Sequence, residues 1–223
     1  MTDFRIKYRP SSLSEVWGNE SVKSRWQRLL VAKAFPKAIL LSGNFGVGKT
    51  SLAKIFGKDI LSAMSEKAGL RDGFHEFDST TYDSDKVRSL LKNMTTYVHG
   101  TVVLFFDEFQ RMPSKAQEIL LKPIEEADGI FFILATTNME SIDGGILSRS
   151  TKLVLSNPPK LVLVDKLAGI AELENIEISE EALEYLVESS NYSPRECLGN
   201  LQSLVGFVGH IEISTVLQIL KPI

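Results

Sequence analysis

A single cysteine, Cys197, stands among the 223 residues. That excludes an internal disulfide framework and a zinc module built on thiolates, and it fits a reducing cytoplasm. Histidine is almost as scarce. His75, His99 and His210 are scattered without metal-ligand spacing and are read as structural. No apolar run approaches the roughly 20 residues of a membrane span. The opening Met1-Thr2-Asp3-Phe4-Arg5 lacks the apolar stretch of a signal peptide. Neither repeats nor low-complexity tracts occur. Charge of one sign is missing too: Lys and Arg number 25 against 28 Asp and Glu, a net charge of -3. A broad basic field for nucleic acid is therefore excluded, although a local basic cluster is not.

What is present is an ordinary core composition, 43% apolar, arranged in short runs. Ala38 to Ser42, Phe74 to Phe77, Thr101 to Phe106, Ile130 to Ala135 and Lys152 to Leu155 read as strands. Most are apolar throughout rather than alternating, which predicts a parallel sheet covered by helices on both faces. Helical spacing lies between them, in Leu52, Ile55, Phe56 and Ile60 and again in Val87, Leu90, Leu91 and Met94. Ser114-Lys115-Ala116-Gln117 has the form of a capping box opening a further helix. Pro123 predicts a kink or an early end to it. Pro158-Pro159 marks a boundary, beyond which Leu161 to Leu173, Ser179 to Ser190, Ser193 to Val208 and Ser214 to Leu220 read as helices. The expected layout is an α/β domain over residues 1–157 and a small helical domain over 158–223. Trp17 and Trp26 are read as packing residues, and Cys197 as core.

Two segments carry chemistry. Gly43-Asn44-Phe45-Gly46-Val47-Gly48-Lys49-Thr50 fits the phosphate-loop pattern G-x-x-x-x-G-K-[ST], after a predicted strand and before a predicted helix. Gly43, Gly46 and Gly48 let backbone N–H groups converge on phosphates, and the helix N-terminus adds a field that favours anions. Lys49 would reach the β- and γ-phosphates, and the Thr50 hydroxyl would ligate Mg²⁺. The second segment, Val102 to Phe106, ends in Asp107 and Glu108. Asp107 is placed to meet the metal and Glu108 to polarise the attacking water. The pair of segments predicts nucleoside triphosphate hydrolysis. After the strand Ile130 to Ala135, Asn138 is a candidate to hydrogen-bond the γ-phosphate or that water.

Two arginines stand out. Ser193-Pro194-Arg195-Glu196 reads as a complete helix start, which puts Arg195 in a first turn where the helix dipole disfavours a cation. A bound triphosphate would compensate. Arg149, in Leu147-Ser148-Arg149-Ser150, lies in a short polar stretch before the fifth strand. Nothing local says whether it acts on its own nucleotide, a neighbour's, or none.

Taken in order, these residues resemble the AAA+ clamp-loader ATPases, the family of the gamma/tau subunits of bacterial DNA polymerase III and the small subunits of replication factor C. Lys7-Tyr8-Arg9-Pro10 with Val16-Trp17-Gly18-Asn19 is similar to their adenine-side signature, and Gly46 through Ala53 to their phosphate loop. Phe77-Asp78, Val87-Arg88, Leu120 to Glu126 and Phe132 to Asn138 follow the family pattern, and Ser148-Arg149-Ser150 stands where the family carries Ser-Arg-Cys. The resemblance implies an AAA+ P-loop fold with a five-stranded parallel sheet and a helical lid. In that fold the strand Ile130 to Ala135 would lie between the first and third. ATP and Mg²⁺ would be held by Tyr8, Arg9, Pro10, Val16, residues 43–50, Ser51 and Arg195, with Thr50 and Asp107 at the metal. Asn138 and Arg195 would sense the γ-phosphate and Arg149 would act on a neighbouring subunit's ATP. The partners implied are other clamp-loader subunits, a sliding clamp, and primer–template DNA near Lys86 and Arg88. A helicase loader or a transposition or recombination regulator is the alternative, and a non-hydrolysing structural subunit the third reading. Three departures stand: Ser150 for cysteine, no cysteine-rich zinc module, and an end at the lid without the family's collar domain. The last implies either a shortened chain or a compact protein that assembles another way.

Overall fold

The computed structural model describes residues 2–64, 73–97, 100–206 and 209–219. His99 and the expected helix ends at Val208 and Leu220 lie outside them. In chain order the helices are Phe4–Lys7 (α1), Glu20–Ala32 (α2), Lys49–Met64 (α3), Ser84–Tyr97 (α4) and Ser114–Glu126 (α5). Gly144–Arg149 (α6), Lys160–Leu173 (α7), Glu180–Ser189 (α8), Pro194–Ser203 (α9) and Ile213–Ile219 (α10) follow. The strands are Ala38–Ser42 (β1), Gly73–Asp78 (β2), Val102–Asp107 (β3), Ile130–Thr136 (β4) and Thr151–Val154 (β5).

The strands form one parallel sheet in the order β2-β3-β4-β1-β5. The strand read as central does lie between β1 and β3: Leu40 is in register with Leu134, and Leu134 with Phe106. Continuous apolar runs have a direct cause here. Successive residues of a strand face opposite sides. One side packs Ala38, Leu40, Leu104, Phe106, Phe132 and Leu134 into a cluster with Leu120 and Ile124 of α5. Their alternates Ile39, Leu41, Val103, Phe105 and Ile133 are equally buried. On α2, Trp26 stacks on Phe56 with ring centroids 3.8 Å apart and donates to Asp59 Oδ2 at 2.8 Å, so it is a packing residue as expected.

Contact patterns divide the chain into two compact units, one of Glu20–Gly43 and Lys49–Leu155, the other of Met1–Asn19, Asn44–Gly48 and Ser156–Ile223. The second has its own core. Phe4 of α1 is buried among Leu163, Leu167, Leu183, Leu186, Cys197 and Leu201 of α7, α8 and α9. Its backbone N–H donates to Gln202 Oε1 at 2.9 Å. Trp17 packs against this cluster, and burial pushes the Cys197 thiol up to about 11.

Three local expectations are corrected. Ser114 does not cap α5: Pro113 holds that position, and Ser114 is the first helical residue. Gln117, 1% exposed, instead turns its amide inward, donating to Met112 O (2.9 Å) and Ser141 O (3.2 Å) and accepting from Asp143 N (2.9 Å). Of the kink or early end expected at Pro123, the early end is overturned, since α5 runs on to Glu126. The buried Leu120 and Ile124 hold the last turn on the core, and the ring removes a single backbone bond. Finally, α9 stops at Ser203: Leu204 N and Val205 N bond to Leu201 O and Gln202 O in tighter three-residue turns, and Gly206 follows with a left-handed φ of 87°.

Gly57 of α3 gives a test of the packing. A Cβ there would lie 2.2 Å from Phe74 Cδ2, and the Phe74 ring is stacked against Phe105. Glycine to alanine inside a helix ordinarily stabilises by about 1 kcal/mol. Here Gly57→Ala is expected to destabilise by ~1–3 kcal/mol, the range of overpacking, read as a fall in the urea midpoint.

Candidate functional site

All of β1 is buried, and the chain leaves it at Ser42 to enter α3 at Lys49. The loop between needs left-handed backbone at Gly46 (φ 78°) and Gly48 (φ 100°), which is why glycine stands at both. Gly46 is also closely approached. A Cβ there would lie 2.3 Å from Ser193 Oγ and 3.2 Å from Arg195 Cβ, so the loop rests on the first turn of α9. Val47 is buried, while Asn44 and Phe45 are exposed. At the start of α9 the capping expectation holds by half. Ser193 Oγ accepts from Glu196 N at 3.4 Å and Pro194 takes the first helical position, but Ser193 N donates to Ser190 O rather than to Glu196. Arg195 is exposed in that first turn and makes no hydrogen bond or ion pair among the described residues.

In the sheet unit, the ends of β1, β3 and β4 meet at one edge. Lys49, 7% exposed, donates from Nζ to Gly43 O at 2.8 Å. Thr50 Oγ1 donates to Asp107 Oδ2 at 2.8 Å, and Glu108 N donates to Asp107 Oδ1 at 2.9 Å. Ser51 is half-buried one residue on. Glu108 itself is left-handed, φ 51° and ψ 41°, as the chain turns out of β3. Its Oε2 accepts from Gln110 Nε2 at 2.7 Å, with Arg111 Nε farther off at 3.6 Å. Asn138 is exposed after β4. Its Oδ1 caps Glu140 N at 2.9 Å, which leaves the Nδ2 donors unengaged among the described residues.

A hydroxyl and a carboxylate 2.8 Å apart are a hard-oxygen donor pair. Among the described residues no cluster of three or more His, Cys, Asp or Glu side chains offers an all-protein metal cage. This donor set fits Mg²⁺, which keeps several waters and takes substrate phosphates as further ligands.

Other predicted residues lie elsewhere. Arg149, at the end of α6, is held by Glu125 Oε1 at 2.6 Å and by Gly145 O at 3.1 Å. Lys86 donates to Thr81 O at 2.7 Å and Arg88 pairs with Asp85 at 3.2 Å, both exposed on α4. In the helical unit Val16 is buried, and Arg9 is exposed beside half-buried Pro10. Tyr8 packs edge-on against Phe4 and donates its hydroxyl to Glu174, the C-cap of α7, which also takes the Lys7 ammonium. Lys7 and then Tyr8 hold the Glu174 carboxyl below its usual range, while burial pushes the Tyr8 phenol up. Gln110, Glu125 and Glu174 escaped the sequence reading, since each earns its place through a contact rather than a motif.

Residues 39–158, more than half of the chain, match the family described as ATPase family associated with various cellular activities (AAA). The chain is similar to DNA polymerase III subunit tau of Bacillus subtilis, 27% identical over 92% of this chain and 39% of that protein. It is also similar to the replication factor C small subunits of Natronomonas pharaonis (26% identical, 94% and 64% covered) and Archaeoglobus fulgidus (29%, 98% and 70%). It thus spans well under two thirds of the Bacillus subtilis relative. Among solved structures, the Thermotoga maritima RuvB Holliday junction branch migration motor shares the fold, with a TM-score of 0.79 at 22% identity over 96% of this chain and 72% of that one. No helix of the described residues is long and apolar enough to cross a membrane.

The Glu174 contact has a pH signature. A carboxyl whose folded pKa is depressed adds stability that is present above its unfolded pKa, near 4.5, and is lost as pH falls through the lower folded value. Glu174→Gln is therefore expected to lower stability near pH 7 and to leave it unchanged once the wild-type carboxyl is protonated. Paired urea melts of both proteins from about pH 7 to pH 3 check this, and the gap between them should close on the acid side.

Proposed function

The chain belongs to the AAA ATPase family, and from that premise we propose that it binds and hydrolyses ATP as a subunit of a clamp-loader-type assembly. The observation that carries the reading is the 2.8 Å contact between Thr50 and Asp107, formed directly after a phosphate loop of the required glycine pattern. Similarity to DNA polymerase III tau and replication factor C small subunits over nine-tenths or more of the chain favours clamp loading over the helicase-loader and recombination readings.

In this reading residues 1–157 bind nucleotide and 158–223 form the lid. The loop N–H groups and Lys49 bind the phosphates, while Tyr8, Arg9, Pro10 and Val16 lie on the adenine side. Thr50 and Asp107 would hold Mg²⁺, which when bound neutralises phosphate charge. Glu108 accepts the proton of the attacking water. Asn138 Nδ2 and Arg195, which has no partner among the described residues, are the donors for the γ-phosphate, and the close approach of Gly46 to α9 supports the second. Arg149 serves the ATP of an adjacent subunit. The partners proposed are other clamp-loader subunits, a sliding clamp, and primer–template DNA along Lys86 and Arg88.

Glu108→Gln is expected to keep ATP binding and to lower turnover by about a hundredfold or more, the scale of a lost general base. Filter binding and phosphate release measured on one preparation check it, and unchanged turnover would remove Glu108 from this role. Arg149→Ala is expected to bind ATP normally and to lose turnover by about a thousandfold. Mixed with Glu108→Gln protein it should regain activity, because each variant supplies what the other lacks. Mixtures no more active than their components would show that the arginine does not act in trans.

A further inference from the structure

We infer, resting on the reading of Glu108 as the water-activating carboxylate, that Gln110 is a positioning residue. It orients that carboxylate and ties it to the loop after β4. The half-buried carboxamide spans two strand ends. Its Nε2 donates to Glu108 Oε2 at 2.7 Å, and its Oε1 accepts from Thr137 N at 3.3 Å. Thr137 directly precedes Asn138, the proposed γ-phosphate donor.

The chemistry requires a side chain that donates and accepts at once over this span. A carboxamide does so; a carboxylate would repel Glu108, and an aliphatic chain would do neither. Glu108 needs such support because β3 ends at Asp107 and the glutamate sits on left-handed backbone outside the ladder. Its other polar neighbour, Arg111 Nε at 3.6 Å, is beyond hydrogen-bond length. With Oε2 taken by Gln110, Oε1 is left to accept from water. Remove the amide and the carboxylate is free to close on Arg111, already 3.6 Å from the same Oε2, and so to turn from the water. Because the same amide holds Thr137 N, any shift of the Thr137–Asn138 loop changes the aim of the base.

Gln110→Leu keeps the volume and deletes both hydrogen bonds. It is expected to lower kcat for ATP by about ten- to a hundredfold while leaving KM within about twofold and the melting temperature within about 2 °C. Gln110→His, which retains one donor and one acceptor, should recover most of kcat. Independently of turnover, the Thr137 amide should exchange with deuterium faster in Gln110→Leu than in wild type, as read by residue-resolved NMR. Unchanged kcat in Gln110→Leu, where Glu108→Gln abolishes turnover, would overturn the role of Gln110 and leave that of Glu108 standing. Full turnover in Glu108→Gln would instead overturn the proposed base, and the positioning role with it. A parallel loss of KM, kcat and melting temperature in Gln110→Leu, or unaltered Thr137 exchange, would reduce Gln110 to a structural contact.

Discussion

The insertion of β1 between β4 and β5 is the constraint on which the sheet edge depends. Two ladders fix β1: Ser42 is opposite Thr136 on one side and Val154 on the other. The end of β1 is therefore fixed relative to the end of β4, and through β4 relative to β3. A circuit of hydrogen bonds closes around that edge. Gly43 N donates to Thr136 O (3.3 Å), the next residue's N–H donates to Gln110 Oε1 (3.3 Å), and Gln110 donates to Glu108 (2.7 Å). Glu108 N and Thr50 Oγ1 each donate to Asp107, and Lys49 Nζ returns to Gly43 O (2.8 Å). Each polar side chain proposed for phosphate, metal or water in this unit, Ser51, Asn138 and Arg149 apart, is a link in this circuit. A shift of one strand end would be felt by all of them.

Glu108 is where the circuit carries strain. A left-handed glutamate costs about 1 kcal/mol relative to a glycine at the same position. The conformation is held because the turn out of β3 lets Glu108 N bond to Asp107 Oδ1 and starts the short 3-10 turn Phe109–Arg111, whose Phe109 is fully buried. The buried aromatic anchors one side of the glutamate and the Asp107 carboxylate the other. What the backbone leaves undetermined is the carboxylate's direction, and that falls to a side chain two residues on.

Much of this was legible in the sequence, for reasons that differ by residue. Strands apolar on both faces announce a parallel sheet, because no solvent-facing row interrupts the pattern; β1, β3 and β4 were read within a residue or two of their bounds on that ground. The glycine spacing of residues 43–50 encodes backbone angles, which the chain then adopts at Gly46 and Gly48. Strand order was not readable from pattern, since periodicity says nothing of which strand pairs with which; family resemblance supplied only the place of β4 between β1 and β3. Capping at Ser114 failed because Gln117 is drawn inward by Met112 O and Asp143 N, partners that exist only once the helix is docked. Gln110, Glu125 and Glu174 escaped for the same reason: a single polar side chain carries no period.

The contact between Arg149 and Glu125 decides how the arginine is available. Both side chains are substantially exposed, 35% and 51%, and their ion pair stands in water. Pairs of this kind contribute about 0–1 kcal/mol, since solvent screens the attraction and two long side chains lose rotamer freedom. Glu125 therefore gives Arg149 a preferred direction without burying it or locking it. A phosphate group of a neighbouring molecule, with more charge and a geometry that matches the guanidinium fork, displaces such a partner at little cost. A buried pair in the same place would have held the arginine against exchange, because its removal would strand an uncompensated charge. An exposed, weakly held arginine at the end of a short helix is thus physically suited to act between chains.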